Sequence, residues 1–235
     1  MISLKQAAQW CRGTVLPEYE DVVFSGARAD SRLVEPGHLF VALQGARDGH
    51  DFIPMAMEKG AAAALGERQL PGVPMIVVKN SLRALGDIAR GYRGTLPDRL
   101  RVVGVTGSVG KTTTKEMIAC ALSTVLRTRK TEKNYNNDIG LPMTVLDLQS
   151  DTEAAVIEMG MNHFGELFKF THIACIFFID IRCDIRHCFG DTFLVAVIEI
   201  ILCLVNILHR LCTGFFQLFE IFLICRYIIL FGNFL

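Results

Sequence analysis

Apolar residues in the first hundred positions recur at two spacings. Residues 3–11 (SLKQAAQWC) carry them at helical spacing, with Ser3 placed to cap the first turn. Residues 38–43 (HLFVAL) are a short apolar run of strand length. Residues 51–60 (DFIPMAMEKG) predict a helix with Asp51 near its start and Gly60 near its end. Ile76 to Val78 lies in another β-type run. Leu82, Leu85, Ile88 and Ala89 share one face of a helix capped by Ser81 and running to Arg93. This alternation predicts a small α/β domain over residues 1–98, closed by the turn-rich linker Gly94–Asp98 (GTLPD).

A second unit opens at Leu100 with LRVVGV, the pattern of a buried strand. A Gly-rich turn follows, and Lys111 to Val125 reads as a helix. Strand, Gly-rich loop and helix in this order begin a nucleotide-binding α/β domain. Ala154 to Met159 (AAVIEM) is a further buried strand, and no segment repeats. The fold class is therefore α/β, with the start of a P-loop-type nucleotide domain over residues 99–167.

Composition changes this picture in one place. The 24 Lys and Arg balance 24 Asp and Glu, so the chain lacks the basic excess of a general nucleic-acid binder. The mean hydropathy of +0.37 is high, and its source lies after Leu167. Residues 168–235 hold 12 of the 16 Phe and 6 of the 8 Cys, with no Pro. Before the break, Cys11 and Cys120 show no framework spacing. The opening MISLKQAAQW has neither a basic start nor a long apolar run. Both features lead us to expect a cytoplasmic protein.

Residues 106–113 carry the chemistry: Thr106, Gly107, Ser108, Val109, Gly110, Lys111, Thr112 and Thr113. The two glycines allow a tight turn whose N–H groups, with the helix N-terminus, can cradle phosphate oxygens. Lys111 is placed for the β- and γ-phosphates, and the Thr112 hydroxyl for Mg2+. The longer P-loop pattern has its first glycine where this chain has Val105, so the match is to the shorter GxxGKT form. A Gly-rich turn that binds nothing has the same local pattern; the flanking strand and helix favour phosphate. Glu158, ending its strand, fits a Mg2+ ligand and a solvated carboxylate equally.

Three stretches then resemble the Mur ligases of peptidoglycan synthesis: TGSVGKTTTKEM (106–117), NYNNDIGLPMTVLDL (134–148) and EMGMNHFGEL (158–167). DSRLVEPGHLFVALQGARDGHDFI (30–53) is similar to that family's uridine-nucleotide-binding domain. The likeness is greatest to the branch that adds D-alanyl-D-alanine, and next to the sister branch that adds the third peptide residue. It implies an ATP-dependent ligase: a UDP-N-acetylmuramoyl-tripeptide carboxylate is phosphorylated to an acyl phosphate, which the amine of D-alanyl-D-alanine attacks. By the same resemblance, Lys111 steadies the γ-phosphate, and Thr112 and Glu158 hold Mg2+. Asn136, Asn137 and His163 line the ATP or peptide end. Ser31 and Arg32, with the turn of Asp48, Gly49, His50 and Asp51, face the UDP-sugar. Bland readings stand beside these: a helix cap and a surface Arg for Ser31 and Arg32, structural histidines for His50 and His163, and a turn residue for Asn137. The family also implies a further His ligand, a modified Lys, adenine contacts and a third, dipeptide-binding domain. None of these motifs follows Leu167, so the chain is expected to be truncated and inactive as a ligase, or a fragment that holds UDP-sugar without catalysis.

Three accounts of residues 168–235 compete. The favoured one is a frame error or chimera, since Ala, Gly, Arg and Pro codons are GC-rich and those of Phe and Ile AT-rich. A membrane hairpin would use Phe193–Leu208 and Phe215–Leu235, interrupted by Glu199, Glu220 and Arg226. A metal site would use His172, Cys175, Cys183 and Cys188.

Overall fold

The computed structural model describes residues 1–107, 109–160, 166–174 and 177–178. A short antiparallel pair, β1 (Ile2–Ser3) and β2 (Val23–Phe24), flanks helix α1 (Leu4–Cys11). Ser3 caps α1 as expected, its hydroxyl accepting from the Gln6 N–H. Four parallel strands follow in the order β3 (Ala27–Arg28), β4 (Leu39–Val41), β5 (Ala63–Gly66) and β6 (Met75–Val77). Helices α2 (Ile53–Glu58) and α3 (Ser81–Arg93) accompany them.

Two expected caps move by a residue or more. A 3-10 turn over Gly49–Phe52 precedes α2, and its cap is Asp48, which accepts from the His50 N–H; Asp51 lies inside the turn. Asn80, not Ser81, caps α3 by accepting from the Arg83 N–H. Asx residues compete well for such positions because the side-chain oxygen reaches the second or third helical N–H.

The second sheet is also parallel, in the order β10 (Phe177–Phe178), β7 (Arg101–Val105), β9 (Ala154–Glu158), β8 (Thr128–Lys130). Every residue of β9 is buried, as an inner strand covered on both faces requires. Helix α4 (Lys111–Ser123) joins β7 to β8, and α5 (Gly140–Leu146) precedes β9.

One apolar core runs through both sheets' helices. Leu85, Ile88 and Ala89 of α3 share it with Leu141 and Val145 of α5 and with Phe170 and Ile173 of α6 (Glu166–Ala174). The expected linker is part of it: Leu96 is buried in this core, and Arg93 donates to the carbonyls of Leu100 and Ala174. A turn-rich composition marks the bend, but the apolar Leu96 ties it down. The segment expected to be anomalous opens at Phe168, within α6. Phe170, Ile173 and Ala174 are packed in the core, and β10 pairs with β7. Among the described residues no helix is long and apolar enough to cross a membrane, and no group of His, Cys, Asp or Glu could hold a metal by itself. Phe193–Leu208 and Phe215–Leu235, with Cys175, Cys183 and Cys188, lie outside the described residues.

Candidate nucleotide and metal site

Strand register creates the site. Val105, the last residue of β7, lies opposite Glu158, the last residue of β9, and the Met159 N–H donates to the Val105 carbonyl at 2.8 Å. The loop that leaves β7 therefore rises beside the Glu158 carboxylate at the carboxyl ends of the strands. Thr106 is fixed under it, donating to the Met159 carbonyl at 3.2 Å. Gly110 has φ +78 with no atom within 4 Å of a notional Cβ, so glycine is needed there for backbone conformation, not for space. It opens α4 with no side-chain cap. The first-turn amides of α4 thus face the loop without a competing side chain. Lys111 folds back to donate to the Gly107 carbonyl at 2.8 Å.

Glu158 is the centre of this arrangement and is only 3% exposed. Its N–H donates to Thr131 Oγ1 at 3.0 Å. Asn136 Nδ2 donates to Oε1 at 2.9 Å, and the Thr112 hydroxyl donates to Oε2 at 3.2 Å. Lys115 Nζ lies 3.5 Å from Oε2 and is itself buried. A buried carboxylate held by three side chains, on a backbone pinned by Thr131, is set in one orientation. Neighbouring oxygens around octahedral Mg2+, each at about 2.0–2.1 Å, lie about 3 Å apart. The 3.2 Å between Thr112 Oγ1 and Glu158 Oε2 fits that requirement, and both are the hard oxygen donors this ion prefers.

The sequence-predicted residues divide into groups. Lys111, Thr112, Asn136 and Glu158 come together. Asn137 does not join them: its Oδ1 accepts from the N–H groups of Ile139 and Gly140 at the start of α5. Val109 and Thr113 are exposed. Ser108 and His163 lie outside the described residues.

Ser31, Arg32, Asp48, Gly49 and His50 stand after the adjacent strands β3 and β4. Ser31 is buried against Met55, and Arg32 is exposed and forked onto Asp30. His50 is 1% exposed, with both ring nitrogens engaged. Nε2 accepts from the Glu67 N–H at 2.9 Å, so the proton sits on Nδ1, which donates to Asp48 Oδ1 at 2.7 Å. A Cβ on Gly49 would meet the Leu43 backbone at 2.5 Å. His50 and Gly49 therefore hold the turn, whereas Asp48 and Arg32 present polar groups at its surface. The His50 N–H, the His50 ring and Arg68 together hold the Asp48 carboxyl well below the usual range.

Sequence reading missed Lys115 and Thr131. Lys115 lies three residues after Thr112 on α4, so the two share a face, a spacing that could have flagged it. Thr131 follows the end of a three-residue strand that has no apolar alternation to announce it.

Residues 105–181 match the Mur ligase middle domain, and residues 23–93 match the Mur ligase family catalytic domain. Residues 23–181 belong to the Mur ligase family. The Mur-type segment reaches beyond Leu167, in agreement with α6 and β10. The chain is 44% identical over 178 residues to the UDP-N-acetylmuramoyl-tripeptide--D-alanyl-D-alanine ligase of Bacillus subtilis (strain 168), covering 73% of this chain and 38% of the relative. It is 46% identical over 149 residues to the ligase of that name from Escherichia coli (strain K12), covering 63% of this chain and 32% of the relative. Among solved structures it resembles MurF from Acinetobacter baumannii at 34% identity and TM-score 0.66, over 74% of this chain and 39% of that one. MurF ligase from Thermotoga maritima, solved in complex with ADP, matches at 36% identity and TM-score 0.57, over 66% of this chain and 36% of that one. The chain thus spans about two fifths or less of the length of the relatives it matches.

Proposed function

We propose that this Mur-type chain holds a uridine-nucleotide sugar through residues 1–98 and a magnesium nucleotide through the loop at residues 106–113. These are the substrate and ATP portions of a cytoplasmic ligase joining D-alanyl-D-alanine to UDP-N-acetylmuramoyl-tripeptide. The observation that carries the reading is the pair of Thr112 and Glu158 oxygens beside the Gly107–Gly110 loop.

In such a reaction the tripeptide carboxylate oxygen attacks the γ-phosphorus, the bond to ADP breaks, and an acyl phosphate forms. The dipeptide amine then attacks the acyl carbon; the C–N bond forms, phosphate leaves, and the amine loses a proton. Magnesium bound at Thr112 and Glu158 would supply charge neutralisation at the phosphates. The loop amides and the α4 N-terminus bind phosphate oxygens. Lys111 exchanges the Gly107 carbonyl for oxygens of the β- and γ-phosphates. Asn136 keeps Glu158 turned toward Thr112. Arg32 and Asp48 are the accessible polar groups for the UDP-sugar, with His50 fixing Asp48.

Titration of the 235-residue chain with fluorescent methylanthraniloyl-ADP, with and without Mg2+, tests the reading. Saturable binding strengthened by Mg2+ and lost in Lys111→Ala is expected. Absence of binding by the folded chain would overturn it. ADP release with UDP-N-acetylmuramoyl-tripeptide and D-alanyl-D-alanine tests separately for turnover, which the binding residues described here do not by themselves require.

A further inference from the structure

A buried carboxylate needs a compensating charge whether or not a metal is present. In Glu158 that charge is Lys115, 1% exposed, with its ammonium 3.5 Å from Oε2. The helix brings the Thr112 hydroxyl and the Lys115 ammonium to the same oxygen. The same ammonium lies 3.4 Å from Glu116 Oε1, and Glu116 is paired in turn with Lys130 of β8. Charges thus alternate in a row: Glu158, Lys115, Glu116, Lys130. Glu158 does not need the lysine for its orientation, because Asn136 holds Oε1 and the Thr112 hydroxyl holds Oε2. Lys115 supplies what a bound cation would supply, and two cations at one oxygen repel each other.

We propose that Lys115 is the counter-ion that magnesium displaces from Glu158, and that Glu116 is the carboxylate that then keeps it. The proposal rests on the magnesium–nucleotide reading above. Lys115 is a positioning residue: it acts through Glu158 and sets the strength of the metal site. Two carboxylates flank the ammonium, so its displacement is a change of partner and not the stranding of a buried charge. The exposed Glu116 stays solvated in either state, and Lys130 limits how much of its charge is free for Lys115.

The test compares the 235-residue chain with Lys115→Met and Glu116→Gln. Methylanthraniloyl-ADP binding is measured across a Mg2+ series, and thermal unfolding is followed with and without Mg2+ in the absence of nucleotide. Lys115→Met lowers the metal-free melting temperature and reduces the half-saturating Mg2+ concentration by about fivefold or more, within ordinary coupling between sites. Glu116→Gln moves that concentration the other way, because the lysine has lost its second partner. An unchanged half-saturation in Lys115→Met, with metal-free and metal-bound nucleotide affinities falling by one factor, marks Lys115 as packing only and overturns the proposal. Should Lys115→Met not fold, an unchanged half-saturation in Glu116→Gln does the same. A wild-type chain that binds no nucleotide at any Mg2+ concentration overturns the nucleotide reading instead. The Mg2+-induced thermal shifts then still judge Lys115.

Discussion

Gly160→Ala is the smallest change that should disturb Glu158 without touching it. A Cβ at this position would stand 3.0 Å from Asn136 Cγ, 3.1 Å from Oδ1 and 3.2 Å from Nδ2. Comfortable carbon contacts begin at about 3.5 Å, so the amide must retreat by about 0.5 Å. The Gly160 N–H also donates to the Asn136 carbonyl at 2.7 Å, which prevents the two backbones from simply drifting apart. The Asn136–Glu158 hydrogen bond, now 2.9 Å, then stretches beyond the ordinary upper limit of about 3.2 Å. A hydrogen bond to a charged group contributes about 1.5–3 kcal/mol. Loss of glycine's freedom in the unfolded chain returns about 0.4–1 kcal/mol. The expected net cost is about 0.5–2.6 kcal/mol, the difference of those two contributions. Urea unfolding reports it through the single tryptophan, Trp10, which packs against Gly91. The decisive control is the double variant. In an Asn136→Ala background the methyl has no amide to strike, and Gly160→Ala should carry no cost and return the about 0.4–1 kcal/mol of chain freedom. An undiminished cost in that background would refute the reasoning.

Three further outcomes follow from single contacts. Tyr92→Phe removes a 2.7 Å hydrogen bond to the Leu148 carbonyl and should cost about 1 kcal/mol in urea unfolding, at an unchanged m-value. Lys111→Ala should weaken magnesium-nucleotide binding at least about tenfold while the melting temperature stays near wild type, since among the described residues the lysine meets a loop carbonyl alone; wild-type affinity would remove Lys111 from the site. The depressed Asp48 carboxyl stabilises the fold above its ordinary value of 3.8, and this contribution is lost as pH falls from there toward the folded-state value. Asp48→Asn should flatten that acid-side slope in melts taken from pH 6 downward, and a slope identical to wild type would contradict it.

What the sequence made legible follows from how local each signal is. The helix over 81–93 and the buried strands at 100–105 and 154–159 were readable because their apolar positions are dense and periodic. Strands β3 and β8 were not, since two- and three-residue strands carry no period and exist through their partners in the sheet. The loop, Thr112 and Glu158 were readable as motif chemistry. Their meeting was not, because it depends on pairing Val105 with Glu158 across 53 residues of chain. His50 illustrates the opposite case: its place in DGHDF suggests a ligand contact, but only the fold shows the Glu67 N–H and Asp48 filling both ring nitrogens. Lys115 was hidden for a related reason. A lysine on a helix reads as solvent-facing, and its burial is set by Glu158 arriving from another strand.

The missing first glycine of the longer P-loop is where sequence and site join. Val105 occupies that position, 2% exposed, as the last paired residue of β7. A glycine there would weaken the strand end; a β-branched residue extends the ladder to it. Because β7 runs on to Val105, the loop has only Thr106 to Gly110 in which to turn. It does so with two glycines at positive φ, +143 at Gly107 and +78 at Gly110. The short loop starts α4 close to the sheet, which brings Thr112 to 3.2 Å from Glu158, and one turn later Lys115.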